Sequence, residues 1–480
     1  MRWLATARGE VAGLVLVTVL AGVLRFYRLG YWSFWRDETY TLLRAIDLGS
    51  INLNYPIWYL VTHFSVSALG VSEWSARLPA AIVGTLAVPL TYSLLRPICK
   101  PLVSSVAVLF IAVSPWHLYW SQNARFYILL SLLTSAALLV FYIGLERDRP
   151  KYLAASFVLF GLGVLTHPTA LYQLGAAAIY FLLVGGLGKL RRVLGVRNLV
   201  LLAVLAALPL SFFGWRVIAK PQDVAYFLSW ATPSYLQLPS AFAYYLGVPL
   251  ICMGAFSAVY LIWRRDRFAI LMSIAAIVPL LATVAVSGFT FTASRYMFVA
   301  AVPWMILAAH GASELLNELR PSARWLGVGV VALLIAGPLS EDGLYYLDQN
   351  GNRWDYRSAY DLVRERMQPG DLIFASSPEM GVFFLPDKQT LSIWDADLAA
   401  VVKEGRRAWY VTDMRLDDTP QDIREWVSQH TVQVADFDVH IPGRVFLMRV
   451  YLFDPSLFGP ARQGNGPGSY EVGVEPYAIP

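Results

Sequence analysis

Apolar stretches of about twenty residues recur from Val11 to Leu339, separated only by short polar breaks, and a chain built this way has few choices. A hydrocarbon core of roughly 30 Å is crossed by about 20 apolar residues in a helix, and only helices or closed barrels satisfy their own backbone there. With 57% hydrophobic and 15% charged residues over 480 positions, the composition excludes a soluble enzyme, a disordered chain and a protein with a single anchor. Eleven transmembrane helices are expected, near 11–29, 77–96, 101–120, 126–145, 152–166, 168–188, 198–218, 241–263, 268–287, 296–311 and 324–340. The first is read as retained, because Arg25-Phe26-Tyr27-Arg28 follows it where a cleavable signal would end in small residues.

Charge gives the topology. Before Glu341 the chain has 25 of its 38 Lys and Arg but only 11 of its 33 Asp and Glu, so that part is +14 and the remainder −9. With the N-terminus cytoplasmic, Arg2 and Arg8, Arg96 and Lys100, Arg147 to Lys151, Lys189 to Arg197, Arg264 to Arg267, and Arg320 with Arg324 all fall inside, as the positive-inside bias requires. Pro56 to Leu69 is apolar but short and carries His63, Ser65 and Ser67. Reading it as a span would invert every later loop, so it is taken as an interfacial helix.

The chain divides into a multi-span membrane part, 1–340, with an outer loop at 30–76; a small C-terminal extracytoplasmic α/β domain, 341–455; and a flexible tail, 456–480. In the second part, helices are expected at Asp355–Met367 and Gln421–Gln429, and strands at Leu372–Ala375, Ala408–Val411, Val432–Phe437 and Val445–Phe453. Only Cys99 and Cys252 occur, which rules out a disulfide framework. No phosphate-cradling glycine pattern and no basic tract with interleaved aromatics is present, so neither a nucleotide nor a nucleic acid is expected as a partner.

Ionisable residues at membrane depth are costly and therefore informative. On the outer face the adjacent pair Asp37-Glu38 lies in the aromatic loop Tyr31 to Tyr40, where a partly desolvated carboxylate can serve as general base; an acidic helix start balancing Arg36 or Arg44 is the alternative. Arg125, in Ser121-Gln122-Asn123-Ala124-Arg125-Phe126-Tyr127, and Arg295, in Ser294-Arg295-Tyr296, defy the charge bias. They call for an anion, and a lipid phosphate matches a guanidinium at that depth; snorkelling to headgroups is the alternative. Tyr127 and Tyr296 adjoin them. His167, Arg36, Arg77 and Trp230 are further candidates for substrate contact, although His167 also suits a structural hydrogen bond and Arg77 a pairing with Glu73 or Trp74. No closed metal site is expected, and a divalent cation at Asp37 and Glu38 is kept as an alternative.

Trp35-Arg36-Asp37-Glu38 after Arg25-Phe26-Tyr27-Arg28-Leu29-Gly30, followed by Glu73-Trp74-Ser75-Ala76-Arg77-Leu78-Pro79, Ser121 to Tyr127, Ser294-Arg295-Tyr296 and Arg353 to Asp371, resembles the GT-C glycosyltransferases that use polyprenyl-phosphate sugars. The similar branch is that of the bacterial and archaeal protein mannosyltransferases and aminoarabinose transferases. Members often have His or Lys and two prolines before the interfacial helix, where this chain has Asn54-Tyr55-Pro56; a contact from that basic residue does not carry over. The resemblance implies an inverting transfer of a sugar from a polyprenyl-phosphate donor to a hydroxyl on an acceptor glycan, lipid or protein, at the outer face of the cell membrane and without a required cofactor. Asp37 would take the acceptor proton, Arg125 and Arg295 would hold the leaving phosphate, and Glu38 would orient the acceptor, an arginine or a metal. Apart from the resemblance, the acidic balance of the C-terminal domain suits either a contact with the acceptor or simply the solubility of an exposed domain, and the expectation carried forward is that it caps the site and helps choose the acceptor. A multi-span transporter or a flippase of lipid-linked glycans is the alternative.

Overall fold

A computed structural model of the chain describes residues 7–47, 55–186, 235–319, 321–442 and 444–457, with a few isolated positions between them. Two compact units emerge, one of residues 1–353 with 439–444 and one of 354–438 with 445–480.

The first unit is helical. Helix α1 (Ala7–Phe26) is followed by α2 (Arg36–Ile46), α3 (Pro56–Leu69) and α4 (Glu73–Leu95). A helix thus forms with the bounds expected for the segment at Pro56–Leu69, opened by Pro56 at a position whose N–H would have no partner. Then come α5 (Pro101–Ala112), α6 (Pro115–Ser121), α7 (Tyr127–Glu146), α8 (Pro150–Thr166) and α9 (Ala170–Leu183). After the stretch at 198–218, which lies outside the described residues, follow α10 (Gln237–Leu246), α11 (Val248–Trp263), α12 (Arg267–Ser287), a 3-10 turn at Ser294–Ala300, α13 (Ala301–Glu318) and α14 (Arg324–Leu347).

Among the described residues six helices are long and apolar enough to cross a membrane, or eight if each of two bent pairs is one span. The eleven expected spans differ in two ways. Those at 101–120 and 241–263 are each two helices, bent by 59° and 96°. The first break comes at Pro115, which lacks a donor, with Ser114 Oγ accepting the His117 N–H at 3.3 Å; the second comes at Gly247, whose φ of 90° favours glycine. Those at 152–166 and 168–188 are helices of 17 and 14 residues, shorter than a straight crossing needs.

The ends of these helices are tied together by buried polar side chains. Gln122, just past α6, donates through Nε2 to the Leu24, Arg25 and Tyr27 carbonyls at 3.2, 3.1 and 2.8 Å, filling acceptors that the end of α1 leaves open. Arg25, fully buried, donates to the carbonyls of Ile111 and Ala112 at 3.0 Å each and to His117 Nδ1 at 2.8 Å. These bonds fix the loop between α6 and α7 against the exit of α1.

The second unit is a mixed sheet with helices on both faces. Strands β1 (Leu372–Ala375), β2 (Leu391–Ser392), β3 (Ala408–Thr412), β4 (Val432–Asp436) and β7 (Arg449–Phe453) form it in the order β2-β1-β3-β7-β4; the short strands β5 (Val439–Ile441), which belongs to the first unit, and β6 (Arg444–Phe446) lie outside this sheet. β1, β2 and β3 run parallel, and β7 is antiparallel to both its neighbours. Residues Phe374, Tyr410 and Tyr451 face a core with α17 (Leu398–Glu404) and α18 (Gln421–His430). On the alternate face lie α15 (Tyr356–Arg366) and α16 (Pro378–Phe384), joined by the stacked Tyr360 and Phe384 rings. Val445–Phe453 is not one strand as expected: pairing stops after Phe446 and resumes at Arg449. The Gly- and Pro-rich end after Leu457 lies outside the described residues.

Candidate active site

Asp37 and Glu38 open α2, where carboxylates suit the positive end of a helix. The two side chains part company at once. Glu38 is fully buried and its two oxygens are taken up: Arg77 donates to both, at 2.8 and 2.7 Å, the Ala124 N–H donates at 2.7 Å, and Arg353 lies at 3.5 Å. Burial works against its charge, but Arg77, Arg353 and the Ala124 N–H outweigh it and hold the carboxyl below the ordinary glutamate range. Arg77, also fully buried, donates in addition to the carbonyls of Leu29, Trp32 and Ser33 at 3.2, 2.9 and 3.0 Å. Of the roles expected for Glu38, the structure thus pairs it with arginines, and Arg77, a candidate for substrate contact, is taken up by Glu38 and backbone carbonyls. The pairing of Arg77 is with Glu38 and not with the neighbouring Glu73.

Asp37 points elsewhere. Its Oδ2 stands 3.5 Å from Arg295 Nη2 and 3.8 Å from Arg125 Nη2. Arg125 leaves the α6–α7 loop and Arg295 the 3-10 turn before α13, so a carboxylate from one element meets guanidinium groups from two others. Arg125 is set by Nη1, which donates to Thr41 Oγ1 at 3.0 Å and to the Asp37 carbonyl at 3.3 Å. Arg295 lies over the rings of Trp35, Phe291 and Tyr296 at 5.8 to 6.0 Å, a placement that favours a cation. Burial lowers the proton affinity of Arg125, and Asp37 with Tyr127 more than restores it, leaving it above its usual value.

These ion pairs are long. Among the described residues, Asp37 Oδ2, Arg125 Nε and Arg295 Nε are buried without a hydrogen-bond partner. Buried polar groups are rarely left so unless something else meets them, and here a carboxylate acceptor and two guanidinium donors share one place. Such a place can hold a tetrahedral oxyanion on the arginines and a hydroxyl on the aspartate.

The other candidates divide. Tyr127, 2% exposed, packs on Trp120 and Phe126 with ring centroids at 4.3 and 4.4 Å, and Tyr296 lies 5.4 Å from the ring of His167. His167 accepts the Thr169 N–H at Nδ1, 3.2 Å away, and stacks on Phe126 and Tyr55 at 4.6 and 5.4 Å. Burial first, then Arg125 and Arg295, push its proton affinity down to about 3, so it is a neutral wall beside the arginines. Tyr55 packs against Phe126 at 4.6 Å, and burial raises its hydroxyl to about 12. Arg36 is exposed and reaches Tyr40, four residues along α2, at 3.4 Å. Trp230 lies outside the described residues. Asp37 and Glu38 do not offer two carboxylates to one cation, because Glu38 is spent on arginines; among the described residues no group of three His, Cys, Asp or Glu is arranged to hold a metal.

Sequence reasoning missed Thr41, and it named Trp35 and Arg353 only within the segments that carry the resemblance, with no role in the site. Thr41 carries a local signal, being four residues after Asp37 on the same face of a helix. Arg353 carries no local signal of its pairing, since its partner Glu38 is 315 residues away.

A family model described as dolichyl-phosphate-mannose-protein mannosyltransferase matches residues 55–215. Among curated proteins, "Putative mannosyltransferase YkcB" of Bacillus subtilis (strain 168) is 27% identical over 157 residues, 33% of this chain and 22% of that protein; the match spans about a fifth of the relative's length. Among solved structures, ArnT from Cupriavidus metallidurans in its apo state superposes with a TM-score of 0.63 at 15% identity, over 94% of this chain and 99% of that one. The chain has the ArnT fold. ArnT bound to undecaprenyl phosphate matches with a TM-score of 0.61 at 16% identity, over 95% and 100% of the two chains. The oligosaccharyltransferase AglB of Archaeoglobus fulgidus, in complex with an inhibitory peptide and a dolichol-phosphate, follows with 0.53 at 13%, over 93% and 74%. Within the ArnT fold of this chain, the multi-helix unit carries the Asp37, Arg125 and Arg295 cluster.

Proposed function

We propose that the chain is an inverting glycosyltransferase that moves a sugar from a polyprenyl-phosphate donor to a hydroxyl of an acceptor at the outer membrane face. The observation that carries the reading is the meeting of Asp37 Oδ2 with Arg295 and Arg125 at 3.5 and 3.8 Å, all three with unfilled hydrogen-bonding capacity among the described residues. Its membrane spans and the ArnT fold support a lipid-borne donor. The polarity of its basic loops supports a cytoplasmic N-terminus, with the cluster and the second unit on the opposite side.

The steps follow from the charges. Before a donor binds, Asp37 partly neutralises the two arginines. The donor phosphate takes the guanidinium groups, which releases Asp37 toward the acceptor. The acceptor oxygen attacks the anomeric carbon on the face opposite the phosphate, its proton passes to Asp37, and the bond to the phosphate oxygen breaks, leaving polyprenyl phosphate. Phosphate is a good leaving group, so stabilising its developing charge matters more than protonating it, and Arg125 and Arg295 do this. Tyr127, Tyr296 and the neutral His167 wall the arginines and limit water there. Glu38 is a positioning residue: it links α2 to Ala124, next to Arg125, and so sets the spacing between base and cation.

Purified protein in lipid nanodiscs, given polyprenyl-phosphate mannose or polyprenyl-phosphate pentose and a pool of envelope glycans, lipids and glycoproteins, is expected to release polyprenyl phosphate. Arg125→Gln and Arg295→Gln are each expected to lose at least a hundredfold in that release. Release at the wild-type rate by both variants would remove the assignment of the phosphate to these arginines.

A further inference from the structure

The second unit has a feature that sugar transfer in the first does not use. From β1 the chain crosses to β2 on one side and then to β3 on the other, giving the parallel order β2-β1-β3. Right-handed crossovers then place successive helices on opposite faces of the sheet, and at such a reversal a crevice opens beyond the carboxyl ends of the strands. That is where open α/β sheets bind ligands.

The residues at this edge suit one ligand chemistry. After β3, Asp413 accepts hydrogen bonds from three hydroxyl groups: Ser376 on Oδ1, Ser377 on Oδ2 at 3.0 Å, and Tyr356 on Oδ2. Its own N–H donates to Ser376 Oγ at 3.1 Å. A carboxylate has about four lone-pair positions, so this one is held rigidly with one position on Oδ1 left, and Asp413 is only half-buried. Nearby, the Tyr360 hydroxyl is fully buried, feels Asp413 and Glu379 as its charged neighbours, and has no hydrogen-bond partner among the described residues. After β2, Trp394 is 42% exposed, yet its indole N–H donates to the Ser376 carbonyl at 3.0 Å. An exposed indole is ordinary; one pinned by its N–H to Ser376 at the end of β1, the residue whose hydroxyl also donates to Asp413, is a fixed aromatic face linked through one residue to an oriented carboxylate.

We propose that this edge of the module binds a saccharide ring, with Trp394 as the stacking face and Asp413 as acceptor for ring hydroxyls. Exposed Asp395, Asp417 and Asp418 follow β2 and β3 at the same edge, so the ring is uncharged or carries an amino group, and an acidic sugar is excluded by like charge. Hydroxyl donors and an apolar face in one small ring are what distinguish a sugar from a peptide or a lipid tail. The site does not depend on the transfer reaction, because no donor or membrane residue enters the argument.

The test is a printed array of neutral, amino-bearing and sialylated glycans probed with the full chain in detergent, without any donor lipid. The wild type is expected to retain neutral or amino glycans. Trp394→Ala should lower the retained signal at least tenfold, and Trp394→Tyr, which keeps a ring face but loses the N–H bond to Ser376, should lower it by about threefold, a smaller loss than that of alanine. Melting curves of the three proteins establish that each is folded. Absence of any retained glycan on the wild type, retention of sialylated glycans only, equal binding by Trp394→Ala, or a Trp394→Tyr loss as large as that of alanine would each overturn the proposal.

Discussion

Replacing Asp37 by asparagine removes one charge and almost no volume, and the geometry gives opposite effects on binding and on chemistry. Asp37 Oδ2 stands 3.5 and 3.8 Å from two guanidinium groups. At an effective dielectric of about 20, each contact is worth roughly 4 kcal/mol before desolvation is subtracted. Desolvation consumes most of such a gain, so we expect the freed arginines to bind polyprenyl phosphate about tenfold more tightly, on the order of 1.4 kcal/mol. Loss of a general base costs about a hundred- to ten-thousandfold in the transfer step, roughly 3 to 5 kcal/mol of barrier. The assay is single-turnover transfer of a radiolabelled sugar in nanodiscs, run beside competition binding of unlabelled polyprenyl phosphate to the same preparation. An Asp37→Asn variant that transfers within about threefold of the wild type would show that Asp37 is not the base. Weaker phosphate binding by this variant would refute the idea that carboxylate and phosphate compete for the arginines.

Glu38→Ala strands the fully buried Arg77 and Arg353, a loss of about 3 to 5 kcal/mol; the expected result is a large fall in melting temperature or failure to fold, read by fluorescence-detected chromatography. Its folded-state carboxyl lies below the ordinary range, so the stabilisation is present above the unfolded-state value and is lost as pH falls through the folded one. His167 runs from 6.5 down to about 3, so the unfolded chain binds a proton that the folded chain refuses, and stability falls as pH drops from 6.5 toward 3. At about pH 5 this is about 2 kcal/mol, and a His167→Gln variant should show a correspondingly flatter stability profile between about pH 7.5 and 5. Gly144→Ala puts a methyl group 2.6 Å from the Leu153 backbone nitrogen, where α7 and α8 meet, and should destabilise by about 1 to 3 kcal/mol in a thermal melt.

The apolar spans were legible because hydrophobicity over twenty residues is a local property, and the helix at Pro56–Leu69 because Pro56 opens it and Gly70 closes a short apolar run. Asp37, Arg125 and Arg295 could be picked out one by one as charges in costly places. The helical breaks at Pro115 and Gly247 were less visible, since apolarity continues across them and bending depends on the turn geometry. The short α16, β2 and α17 escaped notice because a turn or two of helix, or two residues of strand, have too little period to detect.

Amino-acid order thus settled what had to leave water and which ionisable groups needed a partner, since both follow from solvation of each segment. Folding in space decided who the partners are. Asp37 and Glu38 are neighbours with the same chemistry, yet Arg77, 39 residues from Glu38, and Arg353, 315 away, enclose one carboxylate, while Arg125 and Arg295 stand off from the other. Electrostatic energy depends on distance and burial, and neither can be read from separation along a chain.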